Sequence, residues 1–248
     1  TAPTLSSSSP ADNATGVLVD TNVTLTFDES VQVGTGNITL FKSDGTQVEA
    51  IDVTSGQVSV SGAALQINPT ANLDSSQSYY LQVAATAVDD TSGNSFAGIS
   101  DATTLNFTAA DIVAPIISSI SPTDNATGVG ANSNLVVTFN ESIAAGSGNI
   151  TLFKTDGTTV EAMAVDGSRV TIAGTTVTID PTNDLDSSEG YYLQIAATAI
   201  DDTAGNDFAG ISDTTTFNFT VADSAGPTLS SAVPADNATG VAVDANIV

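Results

Sequence analysis

The sequence predicts an all-β protein made of tandem β-sandwich domains arranged end to end. Three observations carry this reading. The chain repeats itself: Pro3, Pro115 and Pro227 open the segments APTLSSSSPADNATGV, APIISSISPTDNATGV and GPTLSSAVPADNATGV, 112 residues apart (115 − 3 and 227 − 115). A unit of that length is a whole domain rather than one turn of a solenoid. Within each unit, apolar and polar residues alternate with period two in short runs separated by Gly, Asn, Asp and Pro, which is the pattern of half-buried strands. No stretch shows competing helical periodicity, and only residues 72–77 are expected to form a single helical turn.

The elements of one unit follow in order. Residues 4–9 read as a strand ending at Pro10, followed by a turn over ADNATG at 11–16. Residues 22–27 place Val23, Leu25 and Phe27 on one face. Residues 37–42 form a strand before the SDG turn, and 48–53, 57–61 and 64–68 follow as short strands. Residues 78–88 read as one long strand with Tyr79, Leu81, Val83, Ala85 and Ala87 aligned. Residues 103–108 close the unit with Leu105 and Phe107 inward. Many short strands in about 110 residues make a two-sheet sandwich. Leu73, six residues before Tyr79, has the spacing of a tyrosine corner, in which the phenol of an early strand residue bonds the backbone just upstream. Leu185 and Tyr191 repeat it. We therefore divide the chain into residues 1–111, 112–223 and 224–248. The last is the truncated start of a third repeat and is expected to form no domain, because unpaired strands expose their ladder groups. It is expected to extend from the second repeat or to pair with a neighbouring molecule.

Composition bounds the function. The chain has 28 acidic residues against Lys42, Lys154 and Arg169, a net charge of −25. Nucleic acid and anionic membrane both require a basic face, so neither is an expected partner. No apolar run is long enough to span a bilayer, so no membrane insertion is expected. There is no Cys, His or Trp, which removes disulfides, the usual zinc sites, thiol nucleophiles and histidine bases. The chain opens at Thr1 without Met and reads as an internal piece of something longer. Its acidity has two readings: a solubilising surface, or a set of carboxylates that ligate cations.

PADNATGV, TLTFDES, DDTSGNSFAG and a Phe-containing last strand, in that order and spacing, resemble the bacterial immunoglobulin-like domains of S-layer proteins and large RTX-type adhesins. The likeness covers both full units. It implies tandem immunoglobulin-like spacer modules on the bacterial cell surface, often stiffened by calcium, with neighbouring repeats of the same chain as the natural partners.

In such a sandwich the turns at 28–30 and 89–94 share the pole at which the chain enters. In the second unit these are 140–142 and 201–206. Asp111, Glu141, Asp201 and Asp202 are thus expected to gather where one domain follows the other. Glu29, Asp89 and Asp90 occupy the same places in the first repeat, and Asp223 leads into the third. The turn at Asp12 and Asn13 is expected at the opposite pole, together with Asp74 and Ser75. Calcium takes six to eight hard oxygens, whereas two bare carboxylates ~4–5 Å apart repel by roughly 3–4 kcal/mol at an effective dielectric near 20. Asp and Asn are also ordinary turn formers, so these residues are candidates for either role. Asp28 becomes Asn140, which marks that position as no essential charge.

Acid pairs could serve a glycosidase, but the chain has only four Tyr and no Trp to line a cleft, and each pair is duplicated. The expected function is a non-enzymatic structural spacer of a bacterial surface adhesin. It is extracellular, monomeric as a fragment, and made rigid by calcium. The alternative is an immunoglobulin-like module that binds a glycan or other ligand at its loop pole.

Overall fold

A computed structural model describes residues 1–247; Val248, the last residue of the expected third-repeat start, lies outside them. The described residues contain strands and turns and no helix. By their contacts they form two units. The first is Thr1–Ala114 with Ala204–Asn206, and the second is Pro115–Thr203 with Asp207 onward.

The first unit contains β1 (Leu5–Ser9), β2 (Ala14–Val17), β3 (Val23–Phe27), β4 (Val31–Val33), β5 (Asn37–Lys42), β6 (Gln47–Asp52), β7 (Val58–Ser61), β8 (Ala64–Ile67), β9 (Ser78–Val83), β10 (Val88–Asp90) and β11 (Asn106–Ala109). They pair as a four-stranded sheet, β1-β3-β8-β7, a five-stranded sheet, β2-β11-β9-β5-β6, and a short ribbon of β4 and β10. Alternation does the sorting. Val23, Leu25 and Phe27 of one sheet and Ile38, Leu40, Tyr79, Leu81 and Phe107 of the other are buried in one cluster, while the residues between them face out. Full burial of such a side chain contributes about 1.5–3 kcal/mol, and the five-stranded sheet supplies the larger share of the cluster.

The second unit repeats this plan with β12 (Ile117–Ser121), β13 (Ala126–Val129), β14 (Leu135–Phe139), β15 (Ile143–Ala145), β16 (Asn149–Lys154), β17 (Thr159–Ala164), β18 (Val170–Ala173), β19 (Thr176–Ile179), β20 (Gly190–Ile195), β21 (Ile200–Asp202) and β22 (Asn218–Val221). Its sheets are β12-β14-β19-β18, β13-β22-β20-β16-β17 and β15-β21. From 222 to 247 no strand forms, and Leu229, Val243 and Ile247 are exposed.

Three sequence expectations need correction. The turn expected over 11–16 gives way at Ala14 to β2, parallel to β11 with Ala14 opposite Phe107 and Val17 opposite Ala109. A strand of two rungs among turn-forming residues has no periodicity to reveal it. The expected strand over 78–88 breaks after Val83. The Ala87 amide closes a turn onto the Ala84 carbonyl, and Ala85 is exposed. The plug at 96–99 takes over its place: Val83 and Ile99 exchange backbone bonds, and Phe96 meets Phe27 edge-on at 5.3 Å. Gly98 allows this approach, since a Cβ there would stand 2.5 Å from the Val83 carbonyl oxygen. Residues 72–77 form no helical turn.

The tyrosine corner is present in both units. The amides of Asp74 and Asp186 donate to the phenol oxygens of Tyr79 and Tyr191, each at 2.8 Å. Tyr79 is 2% exposed and stacks on Phe107. Replacing Tyr79 by Phe keeps the packing and leaves the Asp74 amide without its acceptor, so the variant should lose about 1–2 kcal/mol in urea unfolding. Tyr191→Phe should do the same to the second unit.

Candidate metal centre

The acidic turn is built the same way in both repeats and then filled differently. In the first, β4 and β10 pair with Val31 opposite Asp90, which brings the chain near Glu29 beside the turn at 89–94. Glu29 is partly exposed. Among the described residues the buried charged side chains are Asp90 and its counterpart Asp202. Asp90 Oδ1 accepts the amides of Ser92 and Asn94, both at 2.8 Å, and Oδ2 accepts Asn94 Nδ2 at 2.6 Å. Those donors, the Asn94 side chain foremost, hold its pKa below the usual carboxylate value. Asp89 Oδ1 accepts the Ser95 hydroxyl at 2.6 Å. Both acids of this turn therefore have neutral donors.

In the second repeat, β15 and β21 place Ile143 opposite Asp202 and Ala144 opposite Asp201. Oxygens of Glu141 and Asp202 lie within 4.8 Å of each other. Asp201 sits over Gly146, where a Cβ would come within 2.7–2.8 Å of both its carboxylate oxygens. Its bridge partner is Asp207, at the position Ser95 holds in the first repeat. A second carboxylate replaces the hydroxyl donor. Burial first, and then Asp207, push the Asp201 pKa up, and Asp201 Oδ1 is buried with no hydrogen-bond partner. Asp207 is the residue that sequence reasoning missed. Its signal was available in SGNSFAG becoming AGNDFAG between the repeats.

Asp111 belongs to the first unit by its contacts. Its Oδ1 accepts the Val113 amide at 3.0 Å and the Ser75 hydroxyl at 2.9 Å, and both lower its pKa, the amide more. Asn206, grouped with the same unit, donates its side-chain amide to the Asp111 carbonyl oxygen at 3.2 Å. Asp223 reproduces the pattern with Ala225 at 3.0 Å and Ser187 at 3.3 Å. Asp12 and Asn13 are not where the sequence suggested. Asp12 Oδ1 accepts the backbone and side-chain amides of Asn106 at 3.0 and 2.9 Å, and Asn13 turns back on it with φ 59°. That is the start of β11, whereas Ser75 meets Asp111 beyond its end. The parallel pairing of β2 carries the Asp12 turn to the other end of β11. Asp28 and Asn140 prove to be equivalent caps, accepting the amides of Thr4 and Ile116 at 2.8 Å. This explains why the charge at that position is dispensable.

Residues 1–109 and 111–221 each match the model of the bacterial Ig-like domain family. The chain belongs to that family. Among solved structures it is similar to an I-band fragment of titin (11% identity, TM-score 0.40), covering 90% of this chain and 66% of the fragment. The N-terminal part of the bacterial S-layer protein SbsC matches at 15% identity and TM-score 0.30, over 84% of this chain and 44% of that one. A BSP domain of a biofilm-associated protein matches at 16% and 0.23, over 86% and 29%. The chain thus spans under two thirds of the length of each of these three. No curated protein matches it.

The contrast between the turns is testable by making the second like the first. Asp207→Ser should give Asp201 a donor and remove a like charge, raising stability by about 1–2 kcal/mol at pH 7 in chelator. Asp201 has a raised folded pKa, so its penalty is absent below the unfolded value near 3.9 and sets in as pH rises through the folded one. The gain should accordingly vanish at pH 3.5. Denaturant titrations of both proteins at the two pH values check this.

Proposed function

We propose that this chain is a non-catalytic spacer of a bacterial cell-surface adhesin, made of immunoglobulin-like repeats that calcium stiffens at their junctions. The observation that carries the calcium reading is the second repeat's turn. There, Glu141 and Asp202 offer oxygens within 4.8 Å, and Asp201 holds a buried oxygen with no partner. These donors fit the ion: calcium accepts carboxylate and backbone oxygens in a flexible shell of six to eight. Glu141, Asp201 and Asp202 would hold it, with Asp111 as the linker's expected carboxylate. Glu29, Asp89 and Asp90, followed by Asp223, are the corresponding sets at the other junctions. The bound charge would offset the repulsion that Asp201 and Asp207 otherwise carry.

Family and build support the spacer reading. Each repeat completes its own core. No helix among the described residues is long and apolar enough to cross a membrane. The repeats would carry force and distance between the cell and a distal binding domain, with the next repeats of the same chain as their partners.

Extracellular calcium modules bind with Kd of roughly 0.1–1 mM. At 10 mM calcium a single such site adds about 1.4–2.7 kcal/mol of stability. Calorimetric melts of the chain in 10 mM calcium and in chelator should differ accordingly. Glu141→Gln combined with Asp202→Asn should abolish the difference, and small-angle scattering should show a longer maximum dimension with calcium. Equal melting temperatures and equal dimensions in the two buffers would sink the proposal.

A further inference from the structure

The two repeats also permit a comparison of their solvent faces. On the outer face of the four-stranded sheet most positions have drifted: Thr24, Ser59, Ser61, Ala64 and Gln66 become Val136, Thr171, Ala173, Thr176 and Thr178, while Ser7, Ser9 and Thr26 are kept. On the outer face of the five-stranded sheet fewer have, Ser78 and Asp52 becoming Gly190 and Ala164. Thr39, Phe41, Tyr80, Gln82, Asn106 and Thr108 return as Thr151, Phe153, Tyr192, Gln194, Asn218 and Thr220. A face altered less than its opposite points to a constraint beyond the shared fold. We propose that this face binds a neutral saccharide, once per repeat.

The chemistry is that of a sugar platform. Phe41 and Tyr80 pair across β5 and β9 with rings 5.0 Å apart and 9° from parallel, and Phe153 and Tyr192 repeat both values, Tyr192 being the more buried at 7% exposed. Asn106 flanks Tyr80 in the same row, and Gln82 flanks Thr39 in the next. Both amides are fixed in place through nitrogen, Gln82 to the Ser100 carbonyl at 2.9 Å and Asn106 to Asp12 at 2.9 Å. Each amide oxygen therefore stays an oriented acceptor for an incoming hydroxyl, with little ordering left to do on binding. Shallow depressions flank the rings. One, of about 260 Å³, is lined by Ser78, Tyr80, Asn106 and Thr108. Another, of about 390 Å³, is lined by Asn37, Thr39 and Gln82, with a counterpart of about 370 Å³ in the second repeat. Aromatic walls with a few placed polar groups are the usual lining of small-ligand sites.

Charge selects the ligand class. In a chain with 28 acids none lines these depressions. A cationic ligand would find no counter-ion there, and the net charge of −25 repels an acidic one. Cross-strand pairing by itself accounts for the ring pair, but it leaves the uncharged lining and the matched Thr39 and Thr151 unexplained; an adjoining acid in the first repeat, Asp52 opposite Asn37, is Ala164 in the second.

The test is amide NMR of the intact chain titrated with neutral gluco-, manno- and galacto-oligosaccharides, with a sialylated oligosaccharide as the charged control. Saturable shifts at residues 39, 41, 80, 82 and 106 and at their counterparts 112 residues on are expected with at least one neutral sugar, and unchanged in chelator. Thr39→Glu with Thr151→Glu should weaken binding at least tenfold at an unchanged melting temperature, leaving the ring pairs intact. No shifts with any neutral sugar, shifts confined to the acidic turns, equal binding of the sialylated control, or sugar-free shifts that grow with protein concentration would each overturn the proposal. The last would mark the face as a contact between copies of the chain.

Discussion

The structure depends on how carboxylates are satisfied when cations are scarce. With 28 acids and three basic residues, ion pairing cannot do it. Lys42 pairs with Asp74 and Lys154 with Asp186, each at 2.7 Å, while Arg169 reaches Asp180 at 3.6 Å. Such surface pairs contribute about 1 kcal/mol or less. Backbone amides and hydroxyls take over. Asp44, Asp52 and Asp101 each accept the amide two residues on, and Asp101 and Asp213 add a second amide and two threonine hydroxyls. These donors hold the carboxyls well below their ordinary pKa, the amide of the second residue on contributing most for Asp101 and Asp213. The negative charge thus serves to close turns, and the turns set where each strand begins. The stability this contributes is present above the unfolded pKa and is lost as pH falls through the lowered folded values.

The fold was legible wherever side-chain period and backbone period coincide. Val23, Leu25 and Phe27 announce their strand because each faces the core and each neighbour does not. Leu73 and Tyr79 announce the corner because a phenol at that spacing reaches only one amide. Legibility failed where a segment's role is set by distant chain. The run Ala84 to Ala87 alternates as a strand would, yet Gly98 and its plug, fourteen residues later, take the pairing at Val83. Residues 14–17 become a strand only because β11 offers two rungs. The acidic turns were visible as turns and as acids. Their filling was not, because whether Asp89 or Asp201 has a donor depends on whether residue 95 or 207 carries a hydroxyl or a carboxylate.

The same comparison separates two kinds of constraint on a duplicated domain. Core positions stay apolar between the repeats while trading size, Val23 for Leu135 against Leu25 for Val137 in one strand, as cores tolerate when total volume is kept, and turn positions match because few residues adopt their backbone. Neither reason reaches an exposed sheet face, whose residues are free to vary within strand propensity. The four-stranded sheet varies in this way, exchanging Ala64 for Thr176 and Thr24 for Val136 without altering a rung of its ladder. The five-stranded sheet, with the same freedom, varies less, exchanging Ser78 for Gly190 and Asp52 for Ala164.

Screening decides which acids can make the protein sensitive to a particular ion. At physiological ionic strength the Debye length is about 8 Å, so exposed carboxylates are damped by whatever monovalent salt is present. Buried ones are not. Asp90 and Asp202 are the buried acids of the described residues, one in each repeat at the same turn. Ion-specific behaviour therefore concentrates at those turns rather than over the acidic surface at large. At the first, three hydrogen bonds from within the turn meet the charge of Asp90. Beside it Asp89 takes the Ser95 hydroxyl, whereas in the second repeat Asp201 faces Asp207 and keeps a buried oxygen with no hydrogen-bond partner. One residue is thus enough to change how a turn's carboxylate is compensated while the repeat keeps the same fold.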